Sequence, residues 1–344
     1  MKKLLPILAI FTINIIASNA QIRVTDIKPN KENIFPFVTT PSKIISENIN
    51  QYLSVAYLEN ADLSTNDPFQ FVKKNSTFYG YNHFKNSIPV ITLSIDSEFC
   101  GSYCEGATEY VNFDQGNGQL ITLKDLLEPN KVEALNKILN QKVRKEIQQF
   151  IQQIPDLKNL KKDDIEFYTN QRSIYEECLE YVDIYKLYDY GYKYHFSNDS
   201  IYFERGRCSN RAMRALDDLG RFVIGFSKKE IHPYLSTYGN NLYTNQPRKM
   251  TDISEKIFTG KVGNYPIKGI LDKYSRETYW YEKTKKLIKI DKQIDDEKFK
   301  LNENDNNNKH TATFLLKRHE NKLIGTWNKV NSNNYLPVEI NFKL

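Results

Sequence analysis

Residues 109–155, EYVNFDQGNGQLITLKDLLEPNKVEALNKILNQKVRKEIQQFIQQIP, place two turn-linked extended segments directly before a long helix. The extended segments, Glu109 to Asp114 and Gln119 to Leu123, flank the turn Gly116-Asn117-Gly118. An Asn-Gly turn between two apolar runs is typical of a β-hairpin. The stretch therefore predicts an antiparallel strand pair that leads into a helix.

The helix of this stretch begins after Pro129 and has the clearest pattern in the chain. From Val132 to Ile154, apolar residues recur at steps of three and four, and the opposite face consists of Lys, Glu, Asn and Gln. Such a stripe indicates a helix that packs one face on a hydrophobic core. Pro155 ends the pattern, because proline cannot continue a helix.

Two further elements are predicted upstream of this stretch. Thr40-Pro41 is a helix start, with Thr40 as the cap and Pro41 in the first helical position, and predicts a helix over 41–56. From Val90 to Asp96, apolar and polar residues alternate, which predicts a half-buried strand.

Residues 165–204 are crowded with tyrosines, and a hairpin about Ser197-Asn198-Asp199 fits within them. We interpret the rings as strand packing, because a tyrosine ring covers a pleated surface while its hydroxyl reaches water. The alternative is a recognition surface, since tyrosine is enriched at binding interfaces. The tyrosines are Tyr168, Tyr175, Tyr181, Tyr185, Tyr188, Tyr190, Tyr192, Tyr194 and Tyr202.

The chain changes character after a polar link at residues 244–252. From Lys256 onward, short strands follow one another at a spacing of roughly ten residues, with turn residues between them, a pattern typical of a small antiparallel barrel or sandwich. The predicted strands are 256–261, 265–271, 277–281, 287–290, 299–303, 311–316, 322–328 and 337–342.

These patterns together predict an α+β fold with a mixed or antiparallel sheet and packed helices, followed by a small antiparallel β-barrel or sandwich. The predicted domains are a signal peptide over 1–20, an α+β domain over 21–243 and an all-β module over 253–344.

The N-terminal segment MKKLLPILAIFTINIIASNA indicates export. Lys2 and Lys3 precede an apolar stretch, and Ser18 and Ala20 provide the small residues of a cleavage site. The apolar stretch is too short and too often interrupted by polar residues to stay as a membrane anchor. We therefore expect a periplasmic or secreted protein that has no membrane span after cleavage.

The composition excludes several classes of protein. With 40% hydrophobic and 26% charged residues the chain is globular rather than disordered, and its Gly and Pro counts are not those of a collagen. The formal net charge of +6 falls to +4 once Lys2 and Lys3 are removed. Because this excess is small and scattered among acidic residues, nucleic acid is not an expected partner.

The four cysteines, Cys100, Cys104, Cys178 and Cys208, predict two disulfides in an oxidising compartment. Of the three possible connectivities we favour Cys100 with Cys104 and Cys178 with Cys208, and the crossed pairings stay open. The cysteines lack histidines at ligand spacing, so no zinc site or other metal site is predicted.

Motifs for catalysis are absent from the sequence. It contains no G-x-S-x-G, no H-E-x-x-H, no phosphate-binding loop and no dinucleotide-binding glycine pattern. Its paired carboxylates are adjacent residues, which diverge on either a strand or a helix. The sequence therefore predicts neither an enzyme nor a cofactor.

The segment from Phe35 to Tyr238 resembles the RsiV-like ectodomain family, which is shared by lysozyme-sensing anti-sigma factors and exported polysaccharide deacetylases. The most specific part of the resemblance is Asn112-Phe113-Asp114, leading through Gly118 to Ile121-Thr122-Leu123-Lys124-Asp125-Leu126-Leu127. The resemblance implies a bacterial envelope protein whose partner is a protein such as lysozyme, or a cell-wall glycan.

The leading hypothesis is a non-catalytic binding or sensing module that contacts its partner through the 100–107 loop and nearby aromatic residues. The alternative is a hydrolase acting on envelope polysaccharide or peptidoglycan, and a third possibility is a structural envelope protein. The candidate binding residues are Ser102, Tyr103, Glu105, Tyr110, Tyr192 and Tyr194.

Overall fold

The computed structural model describes residues 22–28, 33–62, 78–100, 104–189, 191–271, 277–295, 298–305 and 307–344. The predicted signal peptide lies outside these residues. The helices are α1 (Lys43–Leu58), α2 (Leu123–Leu126), α3 (Val132–Gln153), α4 (Lys162–Tyr181), α5 (Lys228–Ile231) and α6 (Thr237–Thr244). The strands that precede the C-terminal module are β1 (Arg23–Ile27), β2 (Phe35–Thr39), β3 (Phe78–Phe84), β4 (Val90–Cys100), β5 (Cys104–Asp114), β6 (Lys193–Ser197), β7 (Ser200–Arg205) and β8 (Phe222–Phe226).

The predicted α+β class is confirmed. Strands β1 to β8 form a β1–β2 pair and two three-stranded antiparallel sheets, β3-β4-β5 and β6-β7-β8. None of the helices in the described part of the chain combines the length and apolarity needed to cross a membrane.

The start of α1 differs from the prediction. Ser42, not Thr40, is the N-cap, and its Oγ accepts from the Ile45 backbone N–H. The Thr40 hydroxyl instead donates to the Ser42 carbonyl, 2.7 Å away. The helix begins after Ser42 rather than at Pro41, because the Ser42 hydroxyl caps an N–H group of the first turn that has no partner within the helix.

The turn after β5 is present, but the predicted second strand is wrong. Leu120 makes a single bridge to Phe113, and the Ile121 N–H donates to the Asn112 carbonyl at 2.7 Å. Thr122 and Asp125 then form a capping box that starts α2. Because Thr122 caps a helix, the extended segment ends before it can pair further.

Helix α3 forms as predicted and packs on the β6-β7-β8 sheet. Its inward side chains, Leu135, Leu139, Val143 and Ile147, are fully buried in the same core cluster as Phe196, Ile201 and Phe203 from that sheet. The predicted hairpin is confirmed, with Asn198 in the left-handed region (φ 56°) of a two-residue turn between β6 and β7.

The strand assignment is wrong for most of the tyrosines of residues 165–204 that the structure describes, since only Tyr194 and Tyr202 of this set lie in strands. Tyr168, Tyr175 and Tyr181 lie on α4. The helical period is carried by Gln171, Ile174 and Tyr175, which are buried at spacings of three and four. Tyrosine has a high strand propensity, but tertiary packing overrides propensity where the apolar spacing is helical.

Cys178 and Cys208 form a disulfide with Cα atoms 5.4 Å apart, which joins α4 to the segment that follows β7. Cys100 and Cys104 are directly opposite each other in the β4–β5 register, and Cys104 is also disulfide-bonded. Both observations agree with the connectivity that the sequence favours.

The C-terminal module is a closed antiparallel barrel, which decides between the two predicted architectures. The pairing of its last strand with its first, with Val338 opposite Val262, closes it. Each predicted strand corresponds to an observed one, and large apolar side chains fill the interior. The strands are β9 (Ile257–Val262), β10 (Tyr265–Ile270), β11 (Thr278–Tyr281), β12 (Ile288–Asp295), β13 (Lys298–Asn304), β14 (His310–His319), β15 (Lys322–Lys329) and β16 (Tyr335–Phe342).

The barrel is held against the α+β part by side-chain hydrogen bonds to the backbone of its first strand. The Gln119 side chain exchanges two hydrogen bonds with the Ile257 backbone, at 2.8 and 2.9 Å. Ile257, Ile270 and Trp280 of the barrel are buried in one core cluster with α1 and the β3-β4-β5 sheet. The barrel therefore shares a hydrophobic core with the α+β part.

Candidate functional site

A cavity of about 280 Å³ lies where the two parts meet. Its walls come from α1, from β5 and the turn that follows it, from residues 187–194, and from the link at 252–255. Cavities between packed units are a common place for ligand sites.

Tyrosines dominate the wall of this cavity. The sequence-predicted Tyr110, Tyr192 and Tyr194 all line it, so the fold brings three of the six candidate residues together. Three more tyrosines complete the aromatic wall, namely Tyr52, Tyr57 and Tyr188.

The three predicted tyrosines are held by hydrogen bonds within the protein. The Tyr110 hydroxyl donates to Glu204 at 2.8 Å, the Tyr192 hydroxyl to Asn140 at 2.7 Å, and the Tyr194 hydroxyl to the Ile121 carbonyl at 2.5 Å. These bonds fix the ring orientations. The tyrosines therefore offer rigid ring surface to the cavity.

Polar groups from both parts also reach the cavity. The Asn112 side chain accepts from the Thr92 hydroxyl at 2.9 Å and from the Phe196 N–H at 3.4 Å, and it donates to the Tyr194 carbonyl at 3.1 Å. Asp252 accepts from Thr122 at 2.9 Å and from the Ser254 hydroxyl at 2.5 Å. The cavity wall thus combines aromatic rings with amide and carboxylate groups.

Burial and neighbouring charges shift the pKa values of Tyr188 and Asp252 in the cavity. Burial raises the pKa of Tyr188 to about 12, and nearby carboxylates add to the shift. Burial opposes ionisation of Asp252, but Lys256 and the hydrogen bonds from Ser254 and Thr122 outweigh it and lower its pKa. Near neutral pH, Tyr188 therefore stays protonated and Asp252 stays charged.

The structure does not describe the other three candidate side chains. Ser102 and Tyr103 lie outside the described residues, as does the side chain of Glu105. The end of the predicted loop, Gly106 and Ala107, lines a separate open groove of about 1050 Å³. That groove also contains Arg207, Arg211, Arg214 and Arg221.

Sequence reasoning missed several residues of the site. Tyr52 and Tyr57 lie on α1, where the helical pattern indicated core packing only. Asp252 and Glu255 belong to the polar link, whose composition gave no sign of a binding wall. The one sequence signal for this wall was the tyrosine content of the first helix.

Within the described part of the chain, no cluster of three or more His, Cys, Asp or Glu side chains could hold a metal ion.

Tyr110 also belongs to an aromatic stack behind the cavity, in which His195 lies between two tyrosines. The ring centroid of His195 is 4.4 Å from that of Tyr110 and 5.1 Å from that of Tyr202. Burial lowers the pKa of His195, and Glu204 partly opposes the shift. The fold therefore favours the neutral imidazole.

This stack predicts a pH-dependent stability. In the unfolded chain His195 takes up a proton at its ordinary pKa of about 6.5, whereas in the fold it does so at a lower pH. The contribution of His195 to the free energy of unfolding is therefore full above about pH 6.5, and it falls as the pH drops below this value. We expect the melting temperature to decline less steeply over this window in His195→Phe, which keeps the stack. His83 is present in both proteins, so equal slopes would contradict the prediction.

The chain matches no protein-family model and no curated protein. Among solved structures, it is similar to a DUF3298 family member from Bacteroides fragilis, with 14% identity, a TM-score of 0.42, and coverage of 65% of this chain and 97% of that one. It is also similar to a DUF3298 family protein from Pseudomonas aeruginosa, with 9% identity, a TM-score of 0.37, and coverage of 63% and 94%. At these values neither likeness carries a function to this chain, and the RsiV-like attribution stays a prediction.

Proposed function

We propose that this protein is an exported, non-catalytic binding module that holds a cell-wall glycan in the tyrosine-lined cavity. The single observation that carries the proposal is the cavity wall itself, which combines tyrosine rings with fixed amide and carboxylate groups. Sugars are amphipathic, since their C–H faces pack on aromatic rings while their hydroxyls bond to polar side chains. A wall of this kind suits them.

The size of the cavity favours a glycan over a protein partner. A volume of about 280 Å³ accommodates a sugar unit or a short glycan segment. A stable complex with lysozyme would bury about 800 Å² on each partner, and a concave site of this size does not offer such a surface. The predicted disulfides and signal peptide support an envelope location, where cell-wall glycans are found.

The test is calorimetric titration of the mature chain with muropeptide fragments and, separately, with lysozyme. Ala56 lines the cavity from α1 and is half-buried, so Ala56→Phe places a ring into the cavity. Ile44→Phe introduces the same ring on the same helix at an exposed position outside this cavity, and is the matched control.

We expect muropeptide binding to weaken about tenfold or more in Ala56→Phe and to stay unchanged in Ile44→Phe. Binding that both variants retain would place the ligand elsewhere. If neither glycan nor lysozyme binds the parent chain, the binding proposal fails. Turnover of a fragment would replace it with the hydrolase alternative.

A further inference from the structure

A second cavity, of about 220 Å³, lies beside the Cys178–Cys208 disulfide and is lined by the buried side chain of Arg205. One wall is the C-terminal half of α4, and the opposite wall is the chain from Arg205 to Met213. The disulfide joins these two walls covalently. This cavity is distinct from the tyrosine-lined cavity of the proposed function.

Arg205 lines this cavity with only 2% of its surface exposed. Its Nη1 donates to the Val182 carbonyl across a long 3.4 Å, and it lowers the pKa of the neighbouring Tyr192, which burial raises. The guanidinium carbon lies 4.0 Å from the centre of the Tyr185 ring. Among the described residues, no carboxylate forms an ion pair with Arg205.

A buried arginine without a counter-charge is unusual, because a guanidinium cannot lose its proton to escape the cost of burial. It has five N–H donors in a planar fork, more than Val182 and Tyr192 engage. The fork matches the two oxygens of a carboxylate or phosphate. Arg207 lines the same cavity, and its Nε donates to the Ser209 carbonyl at 3.1 Å.

The carboxylates around the cavity do not supply the missing charge. Glu177 lines it, but its side chain is exposed at the rim. Asp183, next in the chain to Val182, is also exposed and pairs with Arg144 at 2.8 Å. Both groups would weaken the binding of an anion, so any anion that binds must be held by the arginines.

We propose that this cavity is a binding site for a small oxyanion, a carboxylate or phosphate group, with Arg205 as its anchor. Tyr185 covers one face of the guanidinium and leaves the N–H edge for the anion. The disulfide keeps the two walls at a fixed separation, so the site is formed before the anion arrives.

The test measures thermal stability of the full mature chain in sodium phosphate and in sodium acetate, each compared with sodium chloride at equal ionic strength. The difference between the phosphate and acetate series identifies which oxyanion the site prefers. We expect either anion to raise the melting temperature more than chloride does. In Arg205→Gln the apparent affinity should fall about tenfold or more, because the charged fork is lost.

Two further variants separate binding from a structural role of Arg205. Glu177→Gln removes a negative charge from the rim and should tighten anion binding about two- to fivefold. Arg318→Gln, which removes an arginine of the barrel outside the cavity, should leave the anion response unchanged. If Arg205→Gln does not fold, Glu177→Gln decides the question, and unchanged or weaker binding in that variant overturns the proposal. So does a parent response no greater than that to chloride, or a full response in Arg205→Gln.

Discussion

Replacing Lys256 by methionine is expected to lower the free energy of unfolding by about 3–5 kcal/mol. Lys256 and Asp125 have no exposed side-chain surface, and the Lys256 Nζ lies 2.6 Å from an Asp125 oxygen. Nζ also donates to the Leu120 carbonyl. Methionine fills the space of the lysine stem but leaves Asp125 as a buried carboxylate without its cation.

Urea denaturation of the parent and the Lys256→Met variant measures this loss. Lys322→Met is the matched control, because Lys322 pairs with Glu339 at 3.0 Å while both side chains remain well exposed. An exposed pair of this kind contributes about 0–1 kcal/mol. A Lys256→Met variant as stable as the control would show that the buried pair is not needed for the junction.

The second large effect is expected for Asp114→Asn, which should lower the free energy of unfolding by about 3–5 kcal/mol. Asp114 is 2% exposed and accepts from Arg248 Nε at 2.7 Å and from Arg248 Nη2 at 2.5 Å. The Tyr238 hydroxyl donates to it at 2.7 Å, and the Gly116 N–H at 2.7 Å. Asparagine has nearly the same shape but turns an N–H group toward these donors and leaves Arg248 without its counter-charge.

A double-mutant cycle tests this interpretation. Burial opposes the charge on Arg248, but its bonds to Asp114 outweigh burial and raise the pKa of Arg248, so the guanidinium stays charged at neutral pH. If the pair is the cause, Asp114→Asn and Arg248→Met together should cost clearly less than the sum of the single losses, by about 1–3 kcal/mol. Additive losses would mean that the two residues act independently.

The sequence predicted the local elements well where apolar spacing is regular. Helix α3 and the eight barrel strands lie where the periodicity placed them, because period and turn residues are local properties of the chain. The errors arose where two local signals competed. At Thr122, an extended pattern overlapped a capping box, and on α4 the strand propensity of tyrosine overlapped a helical spacing.

The candidate site was predicted only in part. Tyr110, Tyr192 and Tyr194 were identified because tyrosine is a frequent binding residue, and the fold does place them in one cavity. The opposite wall, with Tyr52 and Asp252, could not be found from the sequence. Those residues belong to segments whose local pattern indicates a core helix and a solvated link.

The sequence by itself determined the α+β class, the long amphipathic helix and the eight-stranded C-terminal module, because each follows from hydrophobic period and turn chemistry over a few residues. Only the tertiary structure decided that the strands close into a barrel and that the link is anchored by Lys256 and Arg248. These contacts join residues 131 and 134 positions apart. Periodicity records which face of an element is buried, whereas the partner of a buried charge depends on how distant segments pack.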